Sequence, residues 1–277
     1  MRTISFLLLS VMMQTVCFAQ ITVEGNVVNE RGEAIEYVSI GFEEDDGEDQ
    51  LSSVGVISDA KGHFTLKIPA GRKKDLSFSH VSYLTTEVPY QEYSKGEAIT
   101  VVLKDKVVEL TEVVIGKKNK PKTIVGKGVP IPGAVGMSGE GSDTGPEGGI
   151  AFTCSKKYVI SDILVLISEC TFKQCKVSIN VYEKIGNKFV NIHQKPIYEV
   201  IKRESGAHTL DVRPEENIVL EPKKHYYLSL SLVDGFGEKG YLYIKAYMKN
   251  GLYRSAVKGK TKKLPVRPAI LVKGYVY

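Results

Sequence analysis

Five histidines begin the stretches "HFTL", "HVSY", "HQKP", "HTLD" and "HYYL", and a metal-dependent hydrolysis would show itself first at these positions. A catalytic zinc needs three fixed protein ligands and an open position, which peptidases commonly supply as a His-x-x-Glu pair with a distant histidine. None of the five is His-x-x-Glu. His208 with Asp211 comes nearest, in a turn-rich stretch. Gly-x-Ser-x-Gly, P-loop and paired-cysteine metal spacings are also absent. The segment "GAVGMSGEGSDTGPEGG" neither follows a strand and opens a helix nor carries the Lys-Ser/Thr pair that meets phosphates. Its glycines suit a loop or a close-packed strand entry. The acidic run Glu43–Asp49 could gather calcium, but it lacks alternating ligand spacing and reads as a solvated loop that blunts a sheet edge. The sequence therefore assigns no catalytic residue, metal ligand or cofactor.

Two other groups of side chains could act. In "GYLYIKAYMKNGLYR", period-2 alternation points Leu242, Ile244, Ala246 and Met248 inward. Tyr241, Tyr243, Lys245 and Tyr247 then share the outer face, with Tyr253 and Arg254 just beyond. Were "HYYLSLSL" to pair beside this strand, His225 and Tyr227 would join them. Aromatic rings with interspersed cations make a platform for a glycan or protein partner, although tyrosines also favour strand surfaces through cross-strand packing alone. Cys170 and Cys175 flank "TFKQ", a loop of hairpin length. Cross-strand Cβ separations of ~4.5–5.5 Å lie near disulfide reach, so a bond between them is expected in an oxidising compartment. The alternative is that Cys154, Cys170 and Cys175 are buried thiols serving as small hydrophobes.

The compartment follows from the first residues. Arg2 precedes a largely apolar run, Ile4 to Val16, and Cys17-Phe18-Ala19 ends on a small residue, which is signal-peptide organisation with cleavage before Gln20. Gln14, Thr15 and Val16 are not the small residues that a lipidated cysteine at 17 would want. The chain is expected to be exported, to the periplasm or to the outer membrane and cell surface. Its 277 residues suit two domains, and 43% hydrophobic with 25% charged residues is globular composition. A formal net charge of +5 is too mild to argue for nucleic acid.

Residues 20–116 contain seven or eight short strand-like runs separated by "NERGE", "DAKGH", "PAGRKK" and "YSKGE". That spacing without helical periodicity argues for a two-sheet sandwich. "GVISDAKGHFTLKIP" reads as two strands joined by a tight turn, with Asp59 folding over its own backbone and Gly62 taking a positive φ. Residues 117–132 are basic and rich in Pro and Gly, and read as an extended linker. Residues 133–277 return to strands, with Tyr226, Leu228, Leu230 and Leu232 inward, and read as a second, jelly-roll-like sandwich. The fold class is all-β.

The blocks "VEGNVVNERGEAIEYVSIGF", "GVISDAKGHFTLKIP", "LSFSHVSY" and "ITVVLKDKVVELTEVVIG" occur in an order that resembles the carboxypeptidase-regulatory-like domain. The resemblance implies a prealbumin-like seven-stranded sandwich of the kind found at the N-terminus of starch-utilisation-type TonB-dependent receptors in Gram-negative envelopes. With no His-x-x-Glu pair in the chain, the regulatory module is read as present without its enzyme. In those receptors a stretch like "ELTEVVIG" lies beside the segment offered to TonB. Glu112, Val113, Val114 and Ile115 are thus a candidate partner strand, β-prone and at a domain edge, or simply the last strand of their own sandwich. The expected function is an exported, non-catalytic envelope protein that serves an outer-membrane assembly, a glycan or a protein partner. The alternative is an exported hydrolase with a site in the second sandwich, which would need two carboxylates facing each other across a cleft.

Overall fold

A computed structural model describes residues 20–42, 54–106, 120–138, 146–186, 188–254 and 261–276. The expected leader (1–19), the acidic loop (43–49) and the candidate partner strand Glu112–Ile115 lie outside the described residues.

The first sandwich contains β1 (Ile21–Asn29), β2 (Ser39–Gly41), β3 (Gly55–Ile57), β4 (His63–Ile68), β5 (Leu76–Ser79), β6 (Thr86–Val88) and β7 (Ile99–Leu103). One short helix, α1 (Tyr90–Tyr93), precedes β7. The strands form two sheets, β4-β1-β7 and β3-β2-β5-β6, with β1 and β7 parallel. Phe64, Leu66 and Ile68 alternate with exposed residues along β4 and meet Val23, Val27, Ile40 and Phe78 in one core. This is the all-β, prealbumin-like arrangement expected.

The turn in "GVISDAKGHFTLKIP" differs in one respect from a hairpin. Asp59 Oδ1 does accept from the Lys61 and His63 amides, at 2.8 and 2.9 Å, and Gly62 has φ of 75°. Yet β3 and β4 belong to different sheets, so the turn is a corner between layers. A Cβ on Gly62 would stand 2.5 Å from the Val27 carbonyl oxygen, so close packing as well as conformation calls for glycine.

The second sandwich contains β8 (Lys122–Val125), β9 (Pro130–Ser138), β10 (Glu147–Thr153), β11 (Tyr158–Cys170), β12 (Gln174–Ile185), β13 (Lys188–Asn191) and β14 (Ile197–Lys202). It continues with β15 (His208–Val212), β16 (Val219–Leu220), β17 (His225–Asp234), β18 (Tyr241–Arg254), β19 (Thr261–Pro268) and β20 (Ile270–Val276). These strands are hydrogen-bonded into one continuous sheet, whose main path runs β13-β12-β17-β10-β18-β11-β20-β8. Inward residues of β12 and β17 pack with those of β11 and β20, so the sheet folds over a single core. Tyr226, Leu228, Leu230 and Leu232 belong to it, as their alternation indicates.

Three sequence expectations are corrected. Residues 117–132 are not simply a linker: Lys122–Val125 pairs with β20, and Pro130 begins a strand paired with β18. The apolar Ile124 and Val125 give the sheet a reason to recruit them, since both pack against the core. Cys170 and Cys175 are free thiols 3.9 Å apart. They are not cross-strand partners, because Cys170 pairs with Leu242 and Cys175 with Ile201; "TFKQ" crosses between limbs of the sheet and the sulfurs meet inside the core. Met248 is 40% exposed rather than inward. The register of β18 shifts between Met248 and Gly251, where Lys249 and Asn250 take φ of 68° and 59°, a bulge that ends the alternation.

Candidate functional site between the two sandwiches

The outer face of β12 presents Ser178, Asn180 and Tyr182, while Val177, Ile179 and Val181 fill the core. On the neighbouring β17 the same face carries Tyr227, Ser229, Ser231 and Val233. A solvent-facing role would suit such a serine-rich face. The structure instead buries it, with Ser229 inaccessible, Ser231 reached only from the cleft and the first sandwich laid over its end. The β3-β2-β5-β6 sheet supplies the opposite wall through Ser39, Ile57 and Ser79. Between the walls lies a cleft of about 400 Å³.

Side chains tie the sandwiches together beside this cleft. Tyr37 donates its hydroxyl to Asp234 at 3.0 Å and meets Tyr198 edge-on at 5.1 Å. The Lys176 ammonium lies 4.7 Å from the Tyr37 ring centre and 3.6 Å from Glu36. Ser82 donates to the Gln194 carbonyl at 2.7 Å, and His80 Nε2 stands 3.3 Å from the Tyr198 hydroxyl. Tyr37 has φ of 53°, a left-handed conformation that bulky residues avoid at a cost of order 1–3 kcal/mol. Burial and then the Asp234 charge push its phenol well above the usual range, so it remains a donor.

At the cleft floor, Glu147 opens β10 and stands in register with Ser231 on one side and Arg254 on the other. Its carboxylate is 4% exposed and lies 2.7 Å from Arg254 Nη2. It accepts from Ser229 at 3.0 Å and from Tyr182 at 3.3 Å. Burial alone would lower the Arg254 pKa, but the facing Glu147 charge reverses this and holds the guanidinium firmly protonated. Arg254 Nε is buried and has no hydrogen-bond partner among the described residues. Tyr182 stacks on Tyr227 with ring centres 5.8 Å apart, and burial raises both phenols. Beside them, Asn191 donates to Asn180 at 2.9 Å, which in turn donates to Ser178 at 3.2 Å. These groups form a fixed polar surface with little freedom to lose on binding.

The residues singled out from the sequence are distributed differently. Tyr241, Tyr243, Lys245 and Tyr247 do share the outer face of β18, and Tyr241 stacks on Tyr243 at 5.8 Å. Much of that row is spent on packing within the molecule: Tyr243 lies over Gly136, and Tyr247 carries the Arg267 guanidinium at 5.2 Å. His225 and Tyr227 do not join it, because β10 separates β17 from β18. His225 is exposed at a strand end, while Tyr227 is fully buried beneath Tyr182. Sequence reasoning missed Glu147, Tyr182 and Asn180. One signal was available: a charge at the head of "EGGIAF", followed only by apolar residues and glycine, must find a counter-charge if that strand is buried.

Among the lining residues the carboxylates number one, Glu147, and it is held by Arg254. Among the described residues no cluster of three or more His, Cys, Asp or Glu side chains is placed to hold a metal ion.

Comparison with known proteins bears on the first sandwich. No curated protein matches the chain. The chain covers 59% of the cysteine protease and lectin-like domain structure of Cwp84 from Clostridium difficile; that match takes in 87% of this chain at 9% identity and TM-score 0.37. The infectious bursal disease virus Gx strain structure aligns with 93% of this chain and 63% of its own, at 8% identity and TM-score 0.27. Neither likeness bears on function. Residues 23–115 match the family model described as CarboxypepD_reg-like domain, a family of non-catalytic modules, and this supports the reading of the first sandwich as such a module.

Proposed function

We propose that this protein is an exported, non-catalytic cell-envelope module that binds a glycan or protein partner, and that the cleft between its two sandwiches is the binding site. The observation that carries this reading is the cleft itself, whose volume of about 400 Å³ falls within the ~300–1,000 Å³ of ligand sites and whose polar floor is already ordered. The leader-like first nineteen residues and the regulatory-like module support an envelope setting. A hydrolase would need a second carboxylate opposite Glu147, and the lining offers none among the described residues.

The test has two parts. A tagged full-length chain is expressed in a Gram-negative host, the cells are fractionated, and the recovered protein is sequenced from its N-terminus. A mature chain beginning at Gln20 in an envelope fraction is expected, and an uncleaved chain in the cytosol would overturn the export reading. Retention of envelope glycans or proteins by the mature chain is then compared with a Ser39→Trp variant, whose indole would fill the cleft. Unchanged retention would remove the cleft as the binding site.

A further inference from the structure

We infer that the cleft takes a neutral, hydroxyl-rich ligand, a sugar residue or short neutral saccharide, oriented by Asn180 and the Glu147–Arg254 pair. The inference rests on the reading of the cleft as a binding site and specifies its chemistry.

Ser39, Ser178, Ser231, Asn180 and Asn191 bring uncharged donors and acceptors to both walls. A ligand hydroxyl is itself both donor and acceptor and can use such groups in either sense. An apolar ligand would strand the donor and acceptor sites that these groups do not spend on one another, which is unfavourable for each. An anion would find Lys106 in the lining, but it would also meet the Glu147 carboxylate at the floor, where the guanidinium is already engaged at 2.7 Å. A cation would meet Arg254. The pair is close to neutral as a whole, so a hydroxyl can approach its edge without carrying a charge out of water.

The aromatic groups fit the same ligand. Tyr182 and Phe189 line the second-sandwich wall, while Tyr37 and Tyr198 stand where the sandwiches meet. Tyr182 and Tyr37 already carry Tyr227 and Lys176 on their rings, so the half-buried Phe189 is the ring that can accept the C–H face of a sugar while hydroxyls turn to the polar floor. The volume has room for roughly one or two pyranose rings.

The experiment is titration of the mature full chain, by calorimetry and saturation-transfer NMR, with glucose, galactose, mannose and N-acetylglucosamine at up to millimolar concentrations. Glucuronic acid and a tetra-alanine peptide are the contrasting probes. At least one neutral sugar is expected to bind, glucuronic acid no more tightly than its neutral parent. Binding should weaken at least about tenfold in Asn180→Leu and in Ser39→Trp. The chain has no tryptophan, so the introduced indole reports its own burial by fluorescence. Should Asn180→Leu lose its native circular dichroism, Ser39→Trp on the opposite wall still decides. Failure of all four sugars to bind overturns the inference. Binding of glucuronic acid or the peptide alone, if abolished by Ser39→Trp, overturns the sugar class and leaves the cleft reading standing. Sugar binding unaffected by both variants overturns both.

Discussion

Glu147 and Arg254 show what one buried charge demands. The carboxylate has left water almost completely, and it is tolerated because a guanidinium, a serine hydroxyl and a tyrosine hydroxyl surround it. Removing one member of such a pair strands the other, at about 3–5 kcal/mol, whereas removing both leaves no uncompensated charge. Glu147→Gln and Arg254→Met should therefore each lower unfolding free energy by about 3 kcal/mol. The double variant should lose clearly less than the sum, with a coupling of at least about 1 kcal/mol in the cycle. Urea denaturation of the four proteins measures this directly. Strict additivity would mean that the charges do not sense each other.

At the scale of the element, β10 matters because it lies between β17 and β18 and carries Glu147 to the cleft. Two adjacent glycines make that placement possible, and they do so unequally. A Cβ on Gly149 would stand 1.9 Å from the Leu228 carbonyl oxygen, a backbone atom that cannot swing aside. A Cβ on Gly148 would meet only the Met137 Cε, at 3.8 Å, which is ordinary contact. Gly149→Ala is expected to destabilise the protein by at least about 1–3 kcal/mol, the usual scale of overpacking. Gly148→Ala should fall within about 0.5 kcal/mol of the parent. Paired thermal melts give the comparison, and equal melting temperatures would show that β10 can shift away from β17.

At the scale of the whole molecule, the junction between sandwiches contains the half-buried His80 and the buried His193, both held toward the neutral form. Burial, with a smaller contribution from His193, depresses the His80 pKa from 6.5 to about 4. His193 is depressed in the same direction and for the same first reason, despite its hydrogen bond to the Lys195 carbonyl at 2.8 Å and Glu216 at 3.9 Å. Because the folded values lie below the unfolded ones, the unfolded chain binds more protons as acidity rises. The stability due to His80 is thus complete above about 6.5 and is lost as the pH falls toward about 4. Unfolding free energy measured across that window should drop with acid, and His80→Gln, which keeps a polar group near Tyr198, should flatten the slope. A slope unchanged by the variant would place the titration elsewhere.

Much of this protein was legible before folding. Period-2 alternation located β4 and β17 with their inward faces, and turn residues such as Asp59 and Gly62 behaved as local chemistry requires, because both signals depend on neighbours within a few residues. The order of blocks in the first domain identified its module, supported over residues 23–115. The sequence could not tell which strands would become neighbours, and every correction but that of Met248, which a bulge decides, traces to that. β10 came between β17 and β18, so Tyr227 was carried away from the Tyr241 row and set under Tyr182. The segment after Cys170 crossed between limbs of the sheet, so the two sulfurs met in a core rather than across a ladder. The cleft is the clearest case. Its walls come from residues 37–106 and 147–254, and alternation says only that a side chain points outward from its sheet, whereas tertiary packing alone decides whether water or a second sandwich lies beyond it.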